Sequence, residues 1–299
     1  NEGRIFRVAW KDAPPAIELK SMKRLDGFSV DELIAEFDSP LPVRRINAQD
    51  ELVRRGKTVA TSLIERLLAN ASGHDSSSSK DLPGKKDIPG ELVKNDGRVV
   101  RPTAETRSLS ENQETWTVWA LGRIQDANGL ADLLQSTLAA NSKASLNRQV
   151  QALRILAYRA KRFHQTDRLR ESLQSGLQRA QPRIRFAAVM ATHEARHAEL
   201  VPALLEALER ESDATVFYAG WQALRTLRSV AELRTLLTDR RAAVRRATVL
   251  ALLETHALTQ AEVQGISGVD TNAAVRQIAD LWLSKTKGRA EPLIRGRSL

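Results

Sequence analysis

Apolar and polar positions along most of the chain follow the period of amphipathic helices, and the alternation that marks strands is almost absent after about residue 25. From residue 111 onward four segments share one template. An apolar residue, usually followed by Arg, leads to a small residue four positions on and to small or apolar residues at seven and eight. The copies are Ile184-Arg185 with Ala188 and Ala191, and Val216 with Gly220, Ala223 and Leu224. The other two are Val244-Arg245 with Thr248, Ala251 and Leu252, and Val275-Arg276 with Ala279, Trp282 and Leu283. Their starts are 32, 28 and 31 residues apart. Weaker copies begin near Gln113, at Leu146 with Val150 and Leu153, and at Arg44-Arg45 with Ala48 and Leu52. Between copies lies a second stripe, as in Leu200, Val201, Leu204, Leu205 and Leu208 or Leu130, Leu133, Leu134 and Leu138. Each unit therefore predicts a helical hairpin: small residues on the first helix admit the second closely, and the large Leu residues of the second fill the gap. One hairpin cannot bury its own stripe, so stacked neighbours forming an all-α solenoid are the natural solution.

The flanks read differently. Residues 1–10 alternate through Ile5, Phe6, Val8 and Trp10, which predicts a short strand stopped by Pro14-Pro15. A lone strand is unstable, so its partners are expected upstream of Asn1, in a longer protein of which this chain is a fragment. Residues 11–28 read as a linker, and 29–69 as a first repeat opened by Ser29 with Asp31 and Glu32 in its first turn. Residues 70–110 hold Ser76-Ser77-Ser78-Ser79, Pro83-Gly84, Pro89-Gly90 and Asn95-Asp96-Gly97, a composition expected of a disordered insertion. The array is expected over 111–285, followed by a basic tail at 286–299.

The roughly 30-residue template Val-Arg-x-x-Ala-x-x-Ala-Leu resembles HEAT repeats over about 25–285, which implies a right-handed α-solenoid of HEAT-like hairpins. A narrower likeness is carried by Gly3-Arg4-Ile5-Phe6-Arg7-Val8, a Pro-containing linker, and Arg44-Arg45-Ile46-Asn47-Ala48-Gln49-Asp50-Glu51-Leu52-Val53-Arg54-Arg55-Gly56. It is similar to the junction in planctomycete-type multidomain proteins, where a β-propeller resembling sugar dehydrogenases precedes HEAT repeats and often a cytochrome c-like domain. The resemblance implies a periplasmic or extracellular location, with a cytoplasmic one left open. It also implies a chain that serves a dehydrogenase or haem protein whose active parts lie elsewhere. The preferred expectation is a non-catalytic scaffold that holds a protein partner or adjacent domains of its own polypeptide.

Composition narrows the chemistry. Among 299 residues there is no Cys, which excludes disulfides, thiolate zinc sites, covalent haem attachment and a cysteine nucleophile within the chain. No cofactor is expected in this chain. No apolar run approaches the roughly 20 residues of a membrane-spanning helix. No Ser-His-Asp set, Gly-rich phosphate loop or paired-carboxylate motif stands out.

The formal charge is +10, and residues 148–185 concentrate it, with ten basic residues against Asp167 and Glu171. Arg148, Arg154, Arg159, Lys161, Arg162, Arg168 and Arg170 are thus candidates for binding nucleic acid or another polyanion, some HEAT-like solenoids resembling alkylpurine DNA glycosylases doing so. Aromatics suited to base stacking are sparse there, and long Arg stems covering surface with their heads in water are the preferred alternative. Arg185, Arg245 and Arg276 share one repeat position. They are expected to form a structural ladder with acidic groups of neighbouring repeats, Asp213, Asp239 and Asp270 being the nearest partners or helix caps.

His193-Glu194-Ala195-Arg196-His197 fits H-E-x-x-H, in which two His on one helical face bind zinc and Glu194 serves as general base. Against it, the repeat register puts these residues at a helix end or turn, Arg196 adds a cation, and no third ligand is identifiable. A solvated polar turn is preferred. Trp116, Trp119, Trp221 and Trp282 are read as packing residues rather than a sugar platform.

Overall fold

The computed structural model describes residues 24–73, 108–139, 142, 144–166 and 168–286, with only the backbone of 71–73. The expected strand at 1–10, most of the linker, most of the 70–110 insertion and the tail beyond Thr286 lie outside the described residues. What is described is helical, with no strand among those residues. A short α1 (Val30–Ala35) leads into α2 (Pro42–Arg55) and α3 (Lys57–Gly73). The pairs α4 (Glu111–Arg123) and α5 (Leu130–Leu138), then α6 (Leu146–Phe163) and α7 (Leu169–Leu177), follow. Next come α8 (Pro182–Ala195) with α9 (Val201–Arg210) and α10 (Ala214–Leu227) with α11 (Val230–Thr235). The last are α12 (Ala242–Glu254), α13 (Gln260–Val269) and α14 (Ala273–Thr286).

Two boundaries move. Helix α3 continues to Gly73, so the first residues assigned to the insertion are helical, and Leu25–Gly27 in the expected linker forms a 3-10 turn. The chain returns beside the point where it left: the Leu109 amide donates to Asn70 Oδ1 at 2.8 Å.

Helix starts are written into the sequence. Ser29, Ser110, Ser229 and Thr259 each form a capping box with the Glu or Gln three residues on, and Pro42, Pro182 and Pro202 occupy first turns. Gly56, at φ 63°, takes the left-handed turn that joins α2 to α3.

Packing is sequential. The first helices α2, α4, α6, α8, α10, α12 and α14 each contact the next, while α3, α5, α7 and α9 do the same along the other side. The small template residues occupy the seams: Ala188, Ala251, Ala279 and Thr248 are fully buried. The Leu stripes of α5 and α9 are buried as well. At Gly176 the approach is close, since a Cβ there would stand 2.9 Å from Ala188 Cβ and 3.2 Å from Leu153 Cδ2.

The repeat register also sets α14 apart from the helices before it. Val189, Trp221 and Val249, equivalent in α8, α10 and α12, are 2%, 6% and 1% exposed. Their counterpart in α14 is Asp280, which is exposed and hydrogen-bonded by Ser267. A carboxylate thus stands in α14 where these three helices carry a buried apolar side chain.

Two expectations follow. Ala251→Glu puts a charge into a fully closed seam and should lower stability by several kcal/mol in urea unfolding. Gly176→Ala should cost about 1–3 kcal/mol through overpacking against Ala188. Unchanged midpoints for both would contradict the described seams.

Candidate interaction surface

The shared arginine position is the fourth residue of the first helix, and its geometry recurs. Arg45, Arg185, Arg245 and Arg276 each donate Nη1 to the carbonyl six residues earlier, on Ser39, Arg179, Asp239 and Asp270. Those carbonyls belong to the turn that ends the preceding helix or begins the next, where the helix leaves acceptors without intrahelical partners. Two of the arginines also reach forward. Arg185 forms a two-bond fork with Glu211 (2.7 and 2.7 Å), and Arg245 forms one with Asp270 (2.8 and 2.9 Å). One guanidinium therefore fixes the turn before its own helix and the turn before the next first helix.

The carboxylates respond accordingly. Forked hydrogen bonds from Arg245, aided by the Asn272 amide, hold Asp270 below its ordinary range. Burial pushes Glu211 up, yet the Arg185 fork and the Asp213 amide outweigh it and leave Glu211 lowered. Arg54 and Arg55 hold the largely buried Glu51 down to about 2.

The expected partners are partly redistributed. Asp270 pairs with Arg245 as anticipated. Asp213 instead caps α10, accepting from the Thr215 and Val216 amides, and Asp239 pairs with Arg241. Arg276 has its backbone acceptor on Asp270. Arg45 was not among the expected ladder residues; its place after Arg44 and three residues before Ala48 is the signal that matches the other copies.

The basic cluster divides. Arg148 and Arg159, proposed as surface ligands, are 4% and 7% exposed and are corrected to structural residues. Arg148 donates to the Leu67 carbonyl at 2.9 Å and meets Glu114 at 3.2 Å, the carboxylate being buried as well. Arg159 donates to the carbonyls of Gly122, Ile124 and Gln125 and to the Gln165 side chain. Both replace, in the middle of the chain, the carbonyl-gathering job that the fourth-position arginines do elsewhere. Arg154, Lys161, Arg162, Arg168 and Arg170 are exposed. Helical spacing puts Arg154, Tyr158 and Lys161 on one outward face of α6.

In the H-E-x-x-H segment, α8 ends at Ala195 and Arg196 adopts a left-handed cap with φ 52°. His193 therefore lies inside the helix and His197 beyond it. His193 Nε2 is hydrogen-bonded to Thr226 Oγ1 at 3.1 Å, and His197 Nδ1 lies 2.5 Å from Glu199. Among the described residues no three His, Asp or Glu side chains group as a metal site requires.

Trp221 is buried, while Trp116 stacks on Phe37 and Trp119 meets Tyr158 edge-on. No helix among the described residues is long and apolar enough to cross a membrane.

What the first helices leave outward is a mixed row. In register it holds Phe186, Tyr218 and Arg246, then Met190, Gln222, Leu250 and Leu281, all part-exposed or exposed. Tyr218 and Leu281 are 58% and 55% exposed, and Arg246 lies 3.7 Å over the Phe217 ring.

No protein-family model and no curated protein matches the sequence. Among solved structures, the chain is similar to the X-ray structure of YibA from E. coli, a structural genomics target. Identity is 13% and the TM-score 0.45, over 92% of this chain and 100% of that one.

Arg148→Ala should destabilise the chain by about 3–5 kcal/mol in urea unfolding, because it strands Glu114 in the interior. A surface ligand's loss would leave the midpoint unchanged. Depressed carboxylates add a pH signature. Their contribution is complete above the ordinary values near 4 and is lost as pH falls through the lowered ones toward about 2. Stability should therefore drop across that window, and Asp270→Asn should drop less steeply than the parent; equal slopes would contradict the Arg245 fork.

Proposed function

We propose that the chain is a HEAT-like solenoid scaffold without catalytic chemistry of its own, which holds a protein partner or an adjacent domain of a larger secreted polypeptide. The observation that supports this best is the combination of stacked first helices, rungs of arginine between them, and an outward row carrying exposed Tyr218 and Leu281. Such a stack fixes side chains from distant parts of the sequence on one long face, which suits recognition of an extended surface.

The exposed cations Arg154, Lys161, Arg162, Arg168 and Arg170 support a second reading, capture of a polyanion on the α6 side of the same stack. Their alignment with half-exposed Tyr158 favours it, and the internal use of Arg148 and Arg159 weakens it by removing two of the seven candidates.

Photo-crosslinking amino acids at 218 and 281, placed in the native polypeptide in its producing cells, test the scaffold reading. Discrete crosslinks to protein, either in trans or to another domain of the same polypeptide, are expected at both positions and not at Gln264. Absence of crosslinks at both, with salt-sensitive nucleic-acid crosslinking from position 154, would replace this reading by the second.

A further inference from the structure

The outward row of α8, α10, α12 and α14 has two levels, one running from Phe186 to Gln277 and the next from Met190 to Leu281, and together they hold one charge, Arg246. Its neighbour Arg245 is fully engaged as a rung. Arg246 has an aromatic ring instead: its guanidinium lies 3.7 Å over Phe217. The Nε is buried without an acceptor, and the side chain forms no ion pair among the described residues.

The carboxylates on the elements packed against α12 are engaged elsewhere. Asp239, in the turn before it, pairs with Arg241, on which Glu206 and Glu209 of α9 also act. Asp213 caps α10, and Glu232 of α11 pairs with Arg228. Toward α14, Asp270 takes the Arg245 fork and Asp280 accepts from Ser267. Glu194 and Glu254 stand eight residues past the level of Arg246, about 12 Å along the helix axis. Burial accordingly holds the Arg246 guanidinium below its ordinary range, with no carboxylate offsetting it. A partner that covers this row takes away the water still serving the guanidinium. An apolar cover would then leave a buried cation without a counter-charge. A carboxylate accepts from the planar group and neutralises it. A run of phosphates would find no second cation at these two levels, since the flanking Tyr218, Leu250 and Gln277 are neutral.

We propose that Arg246 is the anchoring cation of the outward row, and that the protein covering it sets one carboxylate, of an Asp, a Glu or a chain end, on this guanidinium from within an otherwise uncharged segment. The carboxylate is met by the Nη groups, while Phe217 holds the guanidinium plane from below. This rests on the scaffold reading and deepens it by naming the partner's chemistry.

The test repeats photo-crosslinking from position 218, in the native polypeptide, with Arg246→Lys, Arg246→Gln and Arg246→Glu. The yield should be largely kept by Arg246→Lys, fall by a modest factor with Arg246→Gln and fall about tenfold with Arg246→Glu. Arg246→Gln and Arg246→Glu both lose the Phe217 contact, so the difference between them reads charge rather than fold. Mass spectrometry of the crosslinked peptide should find a carboxylate at or next to the attachment point. Changing that carboxylate to Lys in the partner should restore the yield of Arg246→Glu. Crosslinks that ignore Arg246→Glu, an attached segment without a carboxylate, or a charge swap that restores nothing would each overturn this proposal while leaving the scaffold reading in place. Absence of any crosslink to protein in the parent would overturn both.

Discussion

Burial of an apolar stripe that one helical pair cannot cover by itself is the constraint on which this structure depends. Each first helix supplies small residues to the seam, each second helix supplies leucines, and neither surface is closed until the next pair arrives. Ala188 and Ala251 are fully buried only because neighbouring helices lie against them. Local order is thereby tied to sequence neighbours, and contact passes down the chain from α2 to α14 one pair at a time.

Apolar packing alone sets no angle between pairs, and the arginine rungs add direction. Arg245 holds the Asp239 carbonyl behind it and the Asp270 carboxylate ahead of it, so the turns on either side of α12 are fixed by one planar group. Arg185 does the same for Arg179 and Glu211. These groups are mostly covered but not sealed, which limits both the desolvation they suffer and the energy each can return. Their regular spacing accounts for a basic composition without requiring a basic ligand: a good share of the arginines serve acceptors inside the molecule.

Much of this was legible beforehand. The start of α1 followed from Ser29 and the acidic residues behind it, and the seams followed from small residues at fixed spacing, because both depend on local chemistry. Asp270 as the partner of Arg245 was readable for the same reason. Pairings between repeats of unequal length were not: whether Arg185 meets Glu211 or Asp213 turns on two residues in a loop, and capping claimed Asp213. Charge counting misplaced Arg148 and Arg159, since a count cannot distinguish a guanidinium in water from one gathering carbonyls in the interior.

The claim at the centre of this account is that stability is passed between neighbouring pairs rather than shared by one global core. Hydrogen exchange of the parent chain and of Arg245→Gln, compared helix by helix under native conditions, measures this most directly. Protection should fall in α12, α13 and α14 and persist in α4 and α6, as nearest-neighbour coupling requires. An equal loss of protection across all of these helices would contradict it.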